Sequence, residues 1–148
     1  MLTDNPSAPC ILIVEDDDDH EVLIRRSFDS SLEEYRLVTS RDLRETRQVL
    51  AQQMPDLILA DYCLPDGRGC DLLKMVDGAC PVVIMTSQGD EQLEAKVKEA
   101  GALDYVVKSL TGFGAMPRIV NLAMRQWAGS QDRKRAENTP GKRDPASD

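Results

Sequence analysis

No hydrophobic run in the sequence approaches the length of a membrane span. The longest early one, Ile11-Leu12-Ile13-Val14, is followed at once by acids, whereas a spanning helix needs about 20 apolar residues and a signal-peptide core at least about 7. Membrane insertion is excluded on this ground, and the cytoplasm is the expected location. Cysteine is sparse as well. Cys10, Cys63, Cys70 and Cys80 show no C-x-x-C spacing and are too few for a disulfide framework in a chain of 148 residues, so buried thiols are expected. Positive charge is in deficit, with 18 Lys and Arg against 26 Asp and Glu. The net charge of −8 repels phosphate backbones and anionic membranes, and nucleic acid is not expected as a direct partner. The chain also lacks an internal repeat and a dinucleotide-binding fingerprint. Asp16 to Arg25 and Asp61 to Leu72 both lack the glycine and alternating oxygen ligands of a calcium loop.

What is present is an alternation of two patterns. Five apolar stretches read as strands: Cys10 to Val14, Tyr35 to Thr39, Leu57 to Ala60, Val82 to Met85 and Tyr105 to Val107. The near-continuous hydrophobicity of the first, third and fourth implies burial on both faces. Between them lie helical stripes: Ile24, Phe28 and Leu32; Leu43, Val49 and Leu50; the shorter Cys70 to Val76; and Leu93, Val97 and Ala100. A last helix is expected from about Pro117, acceptable in a first turn, through Ile119, Leu122, Ala123 and Trp127. Strand and helix alternate five times, which predicts an α/β fold: a flavodoxin-like, doubly wound, five-stranded parallel sheet in the order 2-1-3-4-5 with helices on both faces. Residues 1–9 are expected to form a flexible lead-in and 10–127 the domain. Residues 128–148 turn polar, with Gly129, Pro140, Gly141 and Pro145, and are expected to be a disordered tail. With no second domain expected after Trp127, output would run through protein contacts or a portion not present here.

In an open α/β sheet ligands bind outside the carboxyl ends of the strands. The residues found there are Glu15 and Asp16 after the first strand, Asp61 after the third, Thr86 and Ser87 after the fourth, and Lys108 after the fifth. With the first and third strands adjacent, three carboxylates meet at one rim, and like charges share a small volume only with a cation or raised pKa values. Mg²⁺ suits such a site, being hard and oxygen-seeking. Asp17, Asp18 and Asp19 read instead as a solvated acidic helix start. His20 reads as a solvent-facing helical histidine.

These residues identify the chain as resembling a response-regulator receiver domain of two-component signalling, of the kind also found attached to hybrid sensor kinases. The resemblance runs from about Cys10 to Trp127. It rests on the acidic pair closing Ile11-Leu12-Ile13-Val14-Glu15-Asp16, on Pro55-Asp56-Leu57-Ile58-Leu59-Ala60-Asp61-Tyr62-Cys63-Leu64-Pro65-Asp66-Gly67, on Val83-Ile84-Met85-Thr86-Ser87, and on Gly101-Ala102-Leu103-Asp104-Tyr105-Val106-Val107-Lys108. It implies that Asp61 is the phosphoacceptor, taking its phosphoryl group from a histidine kinase or histidine phosphotransfer protein. It implies that Asp16 and Asp61 bind Mg²⁺ directly, Glu15 through water, and Cys63 through its backbone carbonyl. Lys108 and Thr86 would meet the phosphoryl oxygens, and Thr86 with Tyr105 would form a switch altering a partner-binding face made by the fourth helix, fifth strand and fifth helix. Such a domain catalyses only its own phosphorylation and dephosphorylation and is not otherwise an enzyme. One departure stands out: the family usually has a cis proline after the lysine, and here Ser109 follows, so a trans bond and a rearranged loop are expected.

Two other functions fit the topology less well. A flavodoxin-like electron carrier needs a hydroxyl-rich loop after the first strand, where Glu15 to Asp19 would repel the flavin phosphate. A Mg²⁺-dependent phosphatase of the haloacid dehalogenase type needs a second acid two residues after its nucleophile, and Cys63 occupies that position.

Overall fold

A computed structural model describes residues 1–138. The order of elements is β1 (Cys10–Val14), α1 (Asp18–Asp29), β2 (Arg36–Ser40), α2 (Leu43–Gln52), β3 (Leu57–Asp61), a two-stranded hairpin β4 (Cys63–Leu64) and β5 (Gly67–Arg68), α3 (Asp71–Val76), β6 (Val82–Thr86), α4 (Glu91–Glu99), β7 (Asp104–Val107) and α5 (Leu110–Asn138). The main sheet is parallel throughout, in the order β2-β1-β3-β6-β7. With the hairpin set aside, this is the expected 2-1-3-4-5.

The strands β1, β3 and β6 are buried along their whole length. Their side chains alternate between two cores because successive residues of a strand point to opposite faces. Ile11, Ile13, Leu57, Leu59, Val83 and Met85 pack with Ile24 and Phe28 of α1 and Phe113, Met116 and Val120 of α5. Leu12, Val14, Ile58, Ala60 and Ile84 pack on the other side with Leu43, Leu72, Val76 and Val97 from α2, α3 and α4. Each buried Val, Leu, Ile, Phe or Met among these contributes about 1.5–3 kcal/mol. With both faces covered, polar chemistry is confined to the strand ends. Asp17, Asp42 and Asp90 cap the starts of α1, α2 and α4 by accepting backbone N–H bonds.

Several expectations are corrected. The first helix ends at Asp29, where the Ser30 and Ser31 N–H groups close on Arg26 and Phe28, so Leu32 falls outside the stripe and is 97% exposed. Residues 1–3 of the lead-in lie beside the sheet edge. Leu2 bridges Tyr35, Thr3 N–H donates to Tyr35 O, and Tyr35 N–H donates to Met1 O.

The last helix begins seven residues before Pro117. Ser109 caps it, with its Oγ accepting from Gly112 N–H at 3.0 Å and its carbonyl from Phe113 N–H at 2.7 Å. Only glycine fits at 112, since a Cβ there would collide with the Val107 carbonyl. Pro117 therefore lies inside α5, where it offers no N–H to the carbonyl four residues back. That carbonyl, on Phe113, accepts instead from the Ser27 hydroxyl of α1 at 2.6 Å. The helix then continues through residues 128–138 of the expected tail, a stretch rich in good helix formers such as Ala128, Gln131, Lys134 and Ala136. The expectation for 139–148 lies outside the described residues. Of the cysteines, Cys10 and Cys80 are buried, Cys70 is half-buried and Cys63, in the rim hairpin, is exposed. Burial pushes the Cys80 thiol up to about 12.

Candidate functional site

The β1-β3 register sets Val14 opposite Ala60, so Glu15 and Asp61 emerge side by side, and the β6-β7 register sets Thr86 opposite Val107, just before Lys108. One carboxylate oxygen from each of Glu15, Asp16 and Asp61 lies within 4.8 Å of the others. Glu15 and Asp61 are buried and Asp16 is half-buried.

The Lys108 ammonium is aimed into this cluster with only 2% of its side chain exposed. It donates to Glu15 Oε1 at 2.8 Å and to Asp61 Oδ2 at 2.8 Å, and lies 3.1 Å from His20 Nδ1. Burial works against its charge, but the bonds from Asp61 and Glu15 outweigh this and hold its pKa above the ordinary lysine value. The Glu15 carboxyl is pushed up by burial, against the opposing pull of Lys108. Three carboxyl groups face a single ammonium, so a divalent cation on the oxygen cluster would offset the excess of negative charge. The donor set is all oxygen and fits Mg²⁺.

The other flank is looser. Thr86 Oγ1 donates to Gln88 O at 3.3 Å and accepts from Gln88 N–H at 3.4 Å. Tyr105 is half-buried, and its hydroxyl accepts from Asp90 N–H at 3.1 Å at the start of α4. A Cβ on Gly89 would strike the Tyr105 hydroxyl and Val107, so glycine lets the β6-α4 loop lie directly against that ring. Cys63 opens the hairpin beside the cluster, and its N–H donates weakly to Asp61 Oδ1 at 3.4 Å. The Lys108-Ser109 bond is trans, there being no cis peptide among the described residues.

Three contributors escape a reading of the sequence. His20 is only half open to solvent, with 30% of its side chain exposed. Its ring stands 5.7 Å from that of Phe113 and faces Lys108, 88 residues away in the chain, and only its place in the first turn after the rim acids hinted at this. Asp66 accepts from the Leu43 and Arg44 N–H groups and so ties the rim hairpin to α2. Ser109, read as a lost proline, is a helix cap.

A response regulator receiver domain family model matches residues 11–116, and the chain belongs to that family. It is a signalling domain of two-component systems. Among curated relatives it is 34% identical over 133 residues to the methanogenesis regulatory protein FilR1 of Methanothrix harundinacea, covering 86% of this chain and 30% of the relative. The curated proteins it matches are thus longer, and this chain spans about a third of that one. Among solved structures, the receiver domain of a Luxo repressor protein from Vibrio parahaemolyticus is similar with a TM-score of 0.73 at 24% identity, over 84% of this chain and 95% of that one. The Mn²⁺-bound form of the response regulator Rcp1 is similar with a TM-score of 0.64 at 27% identity, over 73% and 88%. The expected fold and family are thereby established, and no described helix is long and apolar enough to cross a membrane.

Proposed function

We propose that Asp61 receives a phosphoryl group from a histidine kinase or histidine phosphotransfer protein in the cytoplasm. A carboxylate oxygen of Asp61 forms the new bond to phosphorus as the donor's bond to phosphorus breaks, and the donor nitrogen leaves with the electron pair. A carboxylate needs no base for this step. The observation that carries the reading is the Lys108 ammonium held 2.8 Å from Asp61 beside the three-carboxylate cluster. Charge developing on the phosphoryl oxygens meets a donor already in place. Mg²⁺ held by Asp16 and Asp61, with Glu15 through water and the Cys63 carbonyl, would supply the remaining neutralisation.

The phosphoryl group adds negative charge and acceptor oxygens. Thr86, with its two long hydrogen bonds, turns its hydroxyl towards them and draws its loop inward. Tyr105 follows into the vacated space, and the face built by α4, β7 and α5 changes for a downstream protein partner. The phosphatase alternative is not favoured, because the exposed thiol of Cys63 stands where its second acid would be.

The test is exposure of the protein to Mg²⁺ and acetyl phosphate. Wild type becomes labelled, and Asp61→Asn, nearly isosteric, folds but takes no label. Undiminished labelling of that variant refutes the assignment.

A further inference from the structure

A lysine ammonium has three N–H donors and no acceptor. In Lys108 all three are engaged: by Glu15 Oε1 at 2.8 Å, Asp61 Oδ2 at 2.8 Å and His20 Nδ1 at 3.1 Å. Nδ1 lies nearer to the ammonium, at 3.1 Å, than to Glu15 Oε1 at 3.5 Å or to Asp17 Oδ2 at 3.8 Å; since the ammonium can only donate, Nδ1 is assigned as its acceptor and the ring proton is placed on Nε2. His20 is not one of the clustered oxygen donors. It reaches in from the first turn of α1, packed against the ring of Phe113.

Of the three acceptors only Asp61 reacts. We propose that His20 is a positioning residue for phosphoryl transfer: with Glu15 it fixes two of the Lys108 N–H bonds, so that the third is aimed at Asp61 and passes to the incoming phosphoryl oxygen. The assignment rests on the reading of Asp61 as phosphoacceptor, and it explains how the lysine keeps its aim without a proline behind it. Substituting an apolar side chain covers the ammonium but leaves one buried N–H without a partner, a costly arrangement.

The experiment uses the whole chain and two readouts. His20 is the only histidine, so the ring ¹⁵N spectrum needs no assignment. Recorded at about pH 8, above the ordinary imidazole range near about 6.5, it should show Nδ1 bare and Nε2 protonated, both before and after addition of Mg²⁺ and beryllofluoride. The initial rate of labelling by acetyl phosphate should fall about tenfold in His20→Leu, the loss of one hydrogen bond to a charged group. It should return to within about twofold of wild type in His20→Gln, whose amide oxygen can accept. A protonated Nδ1 in wild type, or a folded His20→Leu that labels at the wild-type rate, overturns the inference while leaving Asp61 as acceptor. If His20→Leu does not fold, the wild-type ring spectrum and the glutamine variant decide. Failure of wild type itself to label overturns the underlying reading and the inference with it.

Discussion

The two flanks of the site differ in how tightly they are held. On the α1 side, Lys108, Glu15 and Asp61 are joined by bonds of 2.8 Å, all with side chains nearly or wholly buried. On the α4 side, Thr86 makes two bonds of 3.3 and 3.4 Å to Gln88, and Tyr105 makes one to the backbone of an exposed loop. The tight flank carries the charge balance and the loose one carries none. A site built this way keeps its electrostatics fixed while leaving one side free to move at little cost.

That contrast is most severely tested by Lys108→Met. It leaves two buried carboxylates facing each other and should lower stability by about 3 kcal/mol in metal-free denaturant unfolding, with part of the loss recovered on adding Mg²⁺. The pKa of Lys108 is raised from 10.5, so its contribution is present below that pH and disappears as pH rises through the folded value. The methionine variant should lack this alkaline loss. Equal stability of the two proteins would show that the tight flank is not tight.

Asp16→Ala removes a charge from the cation cluster without touching Lys108, and should weaken Mg²⁺ binding by roughly 10- to 100-fold in calorimetry. Glu15→Gln should cost less affinity, and the reverse order would reassign the two acids. A smaller effect is expected at Ser109→Ala, where loss of the cap should cost about 1 kcal/mol. No change there would mean that α5 is started by packing alone.

A comparable or smaller effect on stability belongs to Thr86→Ala, at most about 1 kcal/mol, because the side chain, although buried, makes only long bonds. The same variant, and Tyr105→Ala, should still accept phosphate yet lose the beryllofluoride-dependent change in amide exchange across residues 90–127. Protection changes identical to wild type in both would place the moving parts elsewhere.

Much of this architecture is readable from local pattern. The β-branched runs mark the five strands because their burial on both faces leaves no room for polar side chains. Topology then puts Glu15, Asp61, Thr86 and Lys108 at one rim. What local pattern could not reveal depends on partners distant in the chain. Pro117 reads as a helix start until the Ser27 hydroxyl, 86 residues before Phe113, is seen to take the orphaned carbonyl. His20 reads as a surface residue until Lys108 is set against it. Met1 to Thr3 show no periodicity because most of their contacts are backbone bonds, to Tyr35 at the sheet edge and from the Met1 amino group to the carbonyls of Phe28, Ser31 and Glu33. The helix beyond Trp127 has no apolar stripe to announce it and extends on propensity from a packed base.

Proline 117 leaves α5 unbroken, and this has a mechanical consequence. Leu110 to Asn138 form one rod of 29 residues, about 43 Å long at 1.5 Å per residue. Its base sits two residues after Lys108, and its near half is clamped by Phe113, Met116, Val120 and Ala123. The far half runs past Trp127, Ser130, Gln131 and Lys134, which line a cleft with Asp77, Gly78 and Pro81 of the turn before β6 and with Ala100 and Gly101 of the turn before β7. In such a lever a tilt of about 5° at the base displaces the tip by about 4 Å, so a rearrangement too small to disturb the packed sheet is large by the time it reaches Asn138.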